Sequence, residues 1–227
     1  MTDTFGPLNA TTDLETLLKV QTYKDLHGKA VSDIVQSIHN DPSIFKSGAT
    51  CPFISSSLST QTLTTQPTSQ SLKIRQVDIA LIEKGLPHFH AITENYFETR
   101  LPDTFNWDEV ASRLGKEWAG EWYIVAFRSV RNDRADAKAL YEADGLAHKE
   151  AIESGGLLKY WYGSLNERRQ CLAMCVWSSR DFAKLATRKP YHRLASSLAS
   201  EMYESYTLER WSLTKHVGET VFHLNQL

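Results

Sequence analysis

Long apolar runs are missing from this sequence. None approaches the roughly 20 residues that a helix needs to cross a bilayer, so no membrane span is expected. The start, Met1 to Asp13, lacks the basic and apolar blocks of a signal peptide. Together these predict a cytoplasmic protein. Charge of one sign is also missing. The net charge is −2, so no basic field would draw nucleic acid. Cysteine is scarce, with only Cys51, Cys171 and Cys175. An odd count does not build a disulfide framework. On one strand Cys171 and Cys175 would stand about 13 Å apart, beyond the roughly 7 Å that a disulfide spans. Core packing in a reducing compartment is their expected role. No glycine-rich fingerprint follows a strand, which argues against a dinucleotide site. Ser178-Ser179 lacks the flanking glycines of a nucleophile elbow. His88 and His90 would share one face of a strand. With only Glu94 as a nearby acid they complete no zinc set, so no metal is expected.

What is present divides the chain into three. Residues 1–45 read as a helical arm, with apolar stripes at Leu14, Leu17, Leu18 and at Val31, Ile34, Val35, Ile38. Residues 46–72 are rich in Ser and Thr and read as a linker or long loop. Residues 73–227 read as one α+β domain. It opens on a strand in which Val77, Ile79 and Leu81 alternate with polar or small residues. A short helix through Trp107, Val110 and Leu114 follows, capped by Asp103 or Thr104.

From residue 121 to residue 217 the pattern is regular. Glu121–Val130 alternates with both faces apolar, as a central strand does. A helix from Asn132 or Asp133 carries Leu140, Ala147 and Ala151 and stops at Ser154-Gly155-Gly156. Strands at Leu157–Tyr162 and Cys171–Trp177 flank a polar hairpin loop. A helical region then runs from Asp181 to about Tyr206, interrupted near Pro190, and leads into a strand at Leu208–Lys215. The order β-α-β-β-α-β is the ferredoxin-like split motif. Its two helices cover one sheet face and leave the other bare and apolar, which is costly in water. A second copy can cover it, as in dimeric α/β barrels. So can the chain's own N-terminal segments, which weakens the case for a homodimer without removing it.

Several stretches point to a relationship. At Glu121-Trp-Tyr-Ile-Val-Ala-Phe-Arg-Ser, Leu140-Tyr-Glu-Ala-Asp, Gly155-Gly-Leu-Leu-Lys-Tyr-Trp-Tyr-Gly, Cys175-Val-Trp-Ser-Ser-Arg and Tyr203-Glu-Ser-Tyr-Thr-Leu-Glu-Arg the chain resembles a fungal family of the uncharacterised-protein-family type. The resemblance covers roughly Ile74 to Glu219 and implies a fungal origin. It also implies the dimeric α/β-barrel superfamily, whose members include cofactor-free monooxygenases, isomerases, cyclases, decarboxylases and haem enzymes. Fungal members of such folds often serve secondary metabolism, on apolar polyketides or terpenoids. The resemblance brings no catalytic residues with it.

Candidate residues therefore come from the pattern alone. Asp144 and His148 are four apart on the first core helix, with Tyr141 three before Asp144, so all share a face. A carboxylate beside an imidazole is an acid–base arrangement. The same spacing also describes an ordinary surface pair. His192 follows Pro190 where a helix restarts, which favours a neutral ring or a local cap. Tyr160, Trp161, Tyr162, Trp177 and Trp122 supply aromatic surface for an apolar pocket, or for the core. Arg128 can anchor a carbonyl or carboxylate, or be solvated.

The expected function is a cofactor-independent isomerase, cyclase or lyase, pericyclic chemistry included, that holds an apolar secondary metabolite. Two alternatives stand beside it. One is a haem-dependent enzyme with His148 or His192 as axial ligand. The other is a non-catalytic binding or assembly module that uses the arm.

Overall fold

The computed structural model describes residues 72–227. The arm over 1–45, and the linker over 46–72 apart from Leu72, lie outside the described residues, as does Cys51.

The first described element corrects the sequence reading. Gln76–Ala80 is a helix, α1, and not a strand; it runs into one π-helical turn at Leu81–Gly85 and a 3-10 turn at Leu86–His88. The alternation at Val77, Ile79 and Leu81 misleads because burial follows the helical period. Val77, Ala80 and Leu81 are buried, while Ile79 faces outward. A reciprocal cap fixes the start. The Arg75 backbone N–H donates to the Asp78 carboxylate at 2.8 Å, and the Arg75 guanidinium donates to the same group at 2.6 and 3.0 Å. Short helices α2 (Leu101–Thr104) and α3 (Trp107–Leu114) follow.

Next come β1 (Gly120–Arg131), α4 (Ala137–Ser154), β2 (Leu157–Tyr162), β3 (Gln170–Trp177), α5 (Arg180–Thr187), α6 (Pro190–Met202) and β4 (Tyr203–Lys215). A fifth strand, β5 (His223–Gln226), pairs with β4, so the C-terminal tail adds an edge to the sheet. The extra strand of the fold is thus at this end and not at Ile74. The order is β2-β3-β1-β4-β5, every pair antiparallel, which is ferredoxin-like with one addition. The β2–β3 ladder is interrupted between Leu157 and Lys159.

Three boundaries shift from expectation. Asp136, and not Asn132 or Asp133, caps α4 by accepting the Ala139 N–H at 3.1 Å. The region expected as one interrupted helix is two, because Pro190 opens a new one. Tyr203–Tyr206 is strand and not helix. Tyr206 faces Ser129 across the ladder, and Tyr203 and Tyr206 pack on Phe127 at ring distances of 5.5 and 5.3 Å. The expected stop after α4 is met. Gly156 has φ +75°, and a Cβ there would collide with Phe182 of α5.

The sheet face carrying Trp122, Ile124, Ala126, Leu172, Met174 and Val176 packs against α1, α3 and the loops between them, including Leu81, Leu101, Phe105 and Val110. Residues 76–114 of the same chain therefore cover the face that a bare ferredoxin-like unit would expose. Asp78 pins this cover. It is fully buried and accepts from Trp122 Nε1 at 2.7 Å and from the Ser178 hydroxyl at 2.6 Å, besides Arg75. Arg75 also donates to the carbonyls of Glu121 and Ser178 at 2.9 and 3.2 Å. At the other end of the cover Lys215, also fully buried, donates to the Gly115 and Trp118 carbonyls at 2.8 Å each. Among the described residues no helix is long and apolar enough to cross a membrane.

Burial alone would raise the Asp78 pKa. Hydrogen bonds from Arg75 and Ser178 outweigh it and hold the carboxyl below its ordinary value. Its contribution to stability is present above the ordinary carboxylate range and is lost as pH falls through the depressed pKa. Asp78→Ala should lower the urea unfolding free energy near neutral pH by roughly 3–5 kcal/mol, because two buried donors and Arg75 lose their acceptor. The deficit relative to wild type should shrink on acidification. A loss under about 1 kcal/mol would show that the carboxylate does not hold the cover in place.

Candidate functional site

The two faces of the sheet differ in accessibility. On the covered face Ile124, Ala126, Leu172 and Val176 expose nothing. On the opposite face, under α4 and α5, Val125, Phe127, Ala173 and Cys175 keep accessible surface although they lie on the two central strands. Two features produce this opening. α4 turns small side chains, Ala143, Ala147 and Ala151, to its buried side. α6 packs chiefly on α4 and not on the sheet.

Polar groups gather along this opening. Asp144 on α4 accepts the Tyr160 hydroxyl of β2, at 2.8 Å to Oδ1 and 2.9 Å to Oδ2. The sequence paired Asp144 with His148. The structure instead gives both carboxylate oxygens to Tyr160 and sets the His148 ring against the Tyr160 ring, centroids 4.8 Å apart. Burial pushes Asp144 up to about 6, opposed by the Tyr160 bond and by the charge of Arg131. Burial and the nearby Asp144 drive Tyr160 far upward, so its hydroxyl stays protonated. His148 is lowered by burial and then by His192, which makes it a neutral base at pH 7.

His192 lies in the first turn of α6. Its pKa is lowered, but by burial first, with Glu150 working against the shift. The helix N-terminus does supply an anchor: the His192 backbone N–H donates to Glu150 Oε2 at 3.0 Å, and ring Nδ1 lies 3.2 Å from the same oxygen. Cys171 and Cys175 line the same face of β3. Burial pushes their thiols up to about 11 and about 12, so both remain protonated and unreactive.

The other predicted residues lie at the margin of this set, in the core or on the covered face. Tyr141 is exposed, and the Arg131 guanidinium stacks on it with Cζ 4.7 Å from the ring centroid. Tyr162 is exposed and packs on Tyr160 at 5.7 Å. Trp177 is buried among Tyr123, Ala151 and Phe182. Trp122 and Trp161 belong to the covered face, Trp161 packed edge-on to Tyr96 and Phe105. Arg128 is also turned from the opening. It pairs with Glu209 at 2.6 Å and donates to the carbonyls of Tyr96, Phe97 and Thr99, which ties down that loop.

Two site residues escaped the sequence reading. Arg131 ends β1 where the β1–β4 register shifts, so strand alternation alone does not orient it; its stacking on Tyr141 and the action of its charge on Asp144 bring it to the opening. Glu150 sits on the buried stripe of α4 as its one charged member. A separate trio, His216, Glu219 and His223, brings one ligand atom each within 4.8 Å of one another near the β4–β5 turn. It lies at the other end of β4 from the Arg131 pairing and is largely exposed.

A folded-state pKa above the ordinary one means that the folded chain holds the Asp144 proton more tightly between 3.8 and about 6. This carboxyl therefore costs stability as pH rises through that window. Asp144→Asn, which keeps an acceptor for Tyr160, should gain roughly 2 kcal/mol on wild type between about pH 4 and about pH 7.5 in urea unfolding. A pH-independent difference would show that Asp144 is not desolvated.

Among solved structures the chain is similar to SnoaB, a cofactor-independent oxygenase from Streptomyces nogalater (13% identity, 43% of this chain and 95% of that one, TM-score 0.34). It is similar to a putative antibiotic biosynthesis monooxygenase from Nitrosomonas europaea (13% identity, 44% and 91%, TM-score 0.34). It is also similar to a dimeric ferredoxin-like protein of unknown function from Thermobifida fusca (14% identity, 40% and 90%, TM-score 0.34). Likeness at this level leaves activity open. In sequence the chain is 38% identical over 97 residues to UPF0643 protein PB2B2.08 of Schizosaccharomyces pombe; the match takes in 40% of this chain and 44% of the relative, so the chain spans less than half of that protein's length. The model of the family described as PB2B2.08-like matches residues 61–226, and the chain belongs to that family.

Proposed function

We propose that this chain is an enzyme that isomerises, cyclises or eliminates from an apolar small molecule, a secondary metabolite in class, without a bound cofactor. The observation that carries this reading is the set Asp144, Tyr160 and His148, gathered between α4 and the outer strand β2 beside the accessible residues of the helix-side face. Isomerisation requires a group that takes a proton and gives it back. Asp144, pushed up to about 6, holds both protonation states near neutrality. His148 offers a neutral ring beside it. Tyr160 stays protonated and orients the carboxylate. Phe127, Tyr203 and Tyr206 add aromatic surface on the same face, suited to holding a flexible skeleton in a reactive conformer.

The test incubates the purified full chain, with no added cofactor, with a fungal metabolite extract and follows small molecules by mass spectrometry. Wild type should deplete at least one apolar metabolite. Asp144→Asn should do so roughly 100-fold or more slowly. Full turnover by His148→Ala would remove the role given to that ring, and no turnover by wild type would favour the binding-module reading.

One arrangement favours a second reading, a haem enzyme. Glu150 holds Nδ1 of His192 and leaves Nε2 for another partner, as carboxylates behind metal-ligating histidines do. A Soret band on haem addition that is lost in His192→Ala would support it, and no Soret band in wild type would remove it.

A further inference from the structure

Arg131 is out of balance with its surroundings. It is 9% exposed, yet its Nε has no hydrogen-bond partner. Its close neighbour is the Tyr141 ring, which meets the guanidinium face and offers no acceptor to Nε in the guanidinium plane. Among the described residues no carboxylate forms an ion pair with it. Asp144 lies within range of its charge but spends its oxygens on Tyr160. Arg128, three residues earlier and turned to the covered face, shows what a structural arginine of this strand looks like, with one carboxylate and three carbonyls around it. A buried guanidinium nitrogen without an acceptor is costly, and buried cations in proteins are normally paired.

Resting on the reading that the substrate lies between the sheet and α4, we infer that Arg131 is the anchor for a carboxylate of that substrate. Three observations agree. The guanidinium fork matches a carboxylate in two parallel hydrogen bonds. The Tyr141 contact and the charge felt by Asp144 set Arg131 on the same side of the sheet as Asp144 and Tyr160. The rings beside it on that side are Tyr141 and Tyr203, and Phe127 packs in turn on Tyr203. The substrate class is therefore a carboxylic acid on an aromatic or polyene skeleton. Arg131 would fix the acid end and leave the skeleton beside Asp144 and His148. In this role it positions, and it transfers no proton.

The experiment is calorimetric titration of the full chain with 2-naphthoate and with its neutral counterpart 2-naphthamide. Wild type should bind the acid at least tenfold more tightly than the amide. Arg131→Met, shown by thermal unfolding to be folded, should lose that preference. If that variant does not fold, Arg131→Lys keeps the charge without the fork, and its preference should fall at least threefold. Equal affinity of wild type for the two probes, no binding of the acid, or a preference that survives in the variant would overturn the anchor. The two readings separate. Turnover that depends on Asp144 with no acid preference sinks the anchor alone. An Arg131-dependent preference with no turnover sinks the enzyme alone.

Discussion

A single buried carboxylate, Asp78, sets which face of the sheet is available. It joins α1 to the start of β1 through Trp122 and to the end of β3 through Ser178. Such a group is stable only when its hydrogen bonds are complete, and here Arg75 completes them. Because that junction holds, residues 76–114 can lie on the apolar face and exclude water from it. The chain thus resolves internally a problem that ferredoxin-like units often resolve by pairing. What remains open is the helix side, where the polar residues are.

On that side the chemistry follows from imperfect cover. A layer of alanines on α4 and an α6 that leans on α4 leave the middle of β1 and β3 reachable. Charged groups in such a place are neither fully solvated nor fully satisfied. Burial raises Asp144 and lowers His148 and His192, which narrows the gap between acid and bases. The neighbours of each group account for its state: Tyr160 for Asp144, Glu150 for His192, and a ring in place of an acceptor for Arg131.

The core of the fold was legible because its periods were clean. Both faces of Glu121–Val130 are apolar, and Leu157–Tyr162 is bounded by glycines that only a turn would require. The helix at Gln76 was illegible because its apolar residues satisfy periods of two and of 3.6 equally over so short a span. Only contact with Trp122 and Ser178, far away in the chain, decides between them. The site was half legible. Helical spacing put Asp144 and His148 together on α4, but a spacing cannot say that Asp144 would turn to Tyr160 across the layer. Arg128 and Arg131 both lie on β1, and only their contacts separate them: Glu209 and loop carbonyls for the first, the Tyr141 ring for the second. The arm and the linker lie outside the described residues.

The position of β2 in the sheet has a mechanical meaning. It is the outer strand on its side, with β3 as its sole neighbour, and that ladder is already interrupted near Lys159. Displacing an outer strand breaks one set of hydrogen bonds where displacing a central one breaks two. Tyr160 therefore rides on the most compliant wall of the opening, while Arg131 stands on its stiffest, the central strand β1. A molecule held between them would be gripped from a fixed side and a yielding side, as between an anvil and a spring. Its size would register first as a shift in the Asp144–Tyr160 bond.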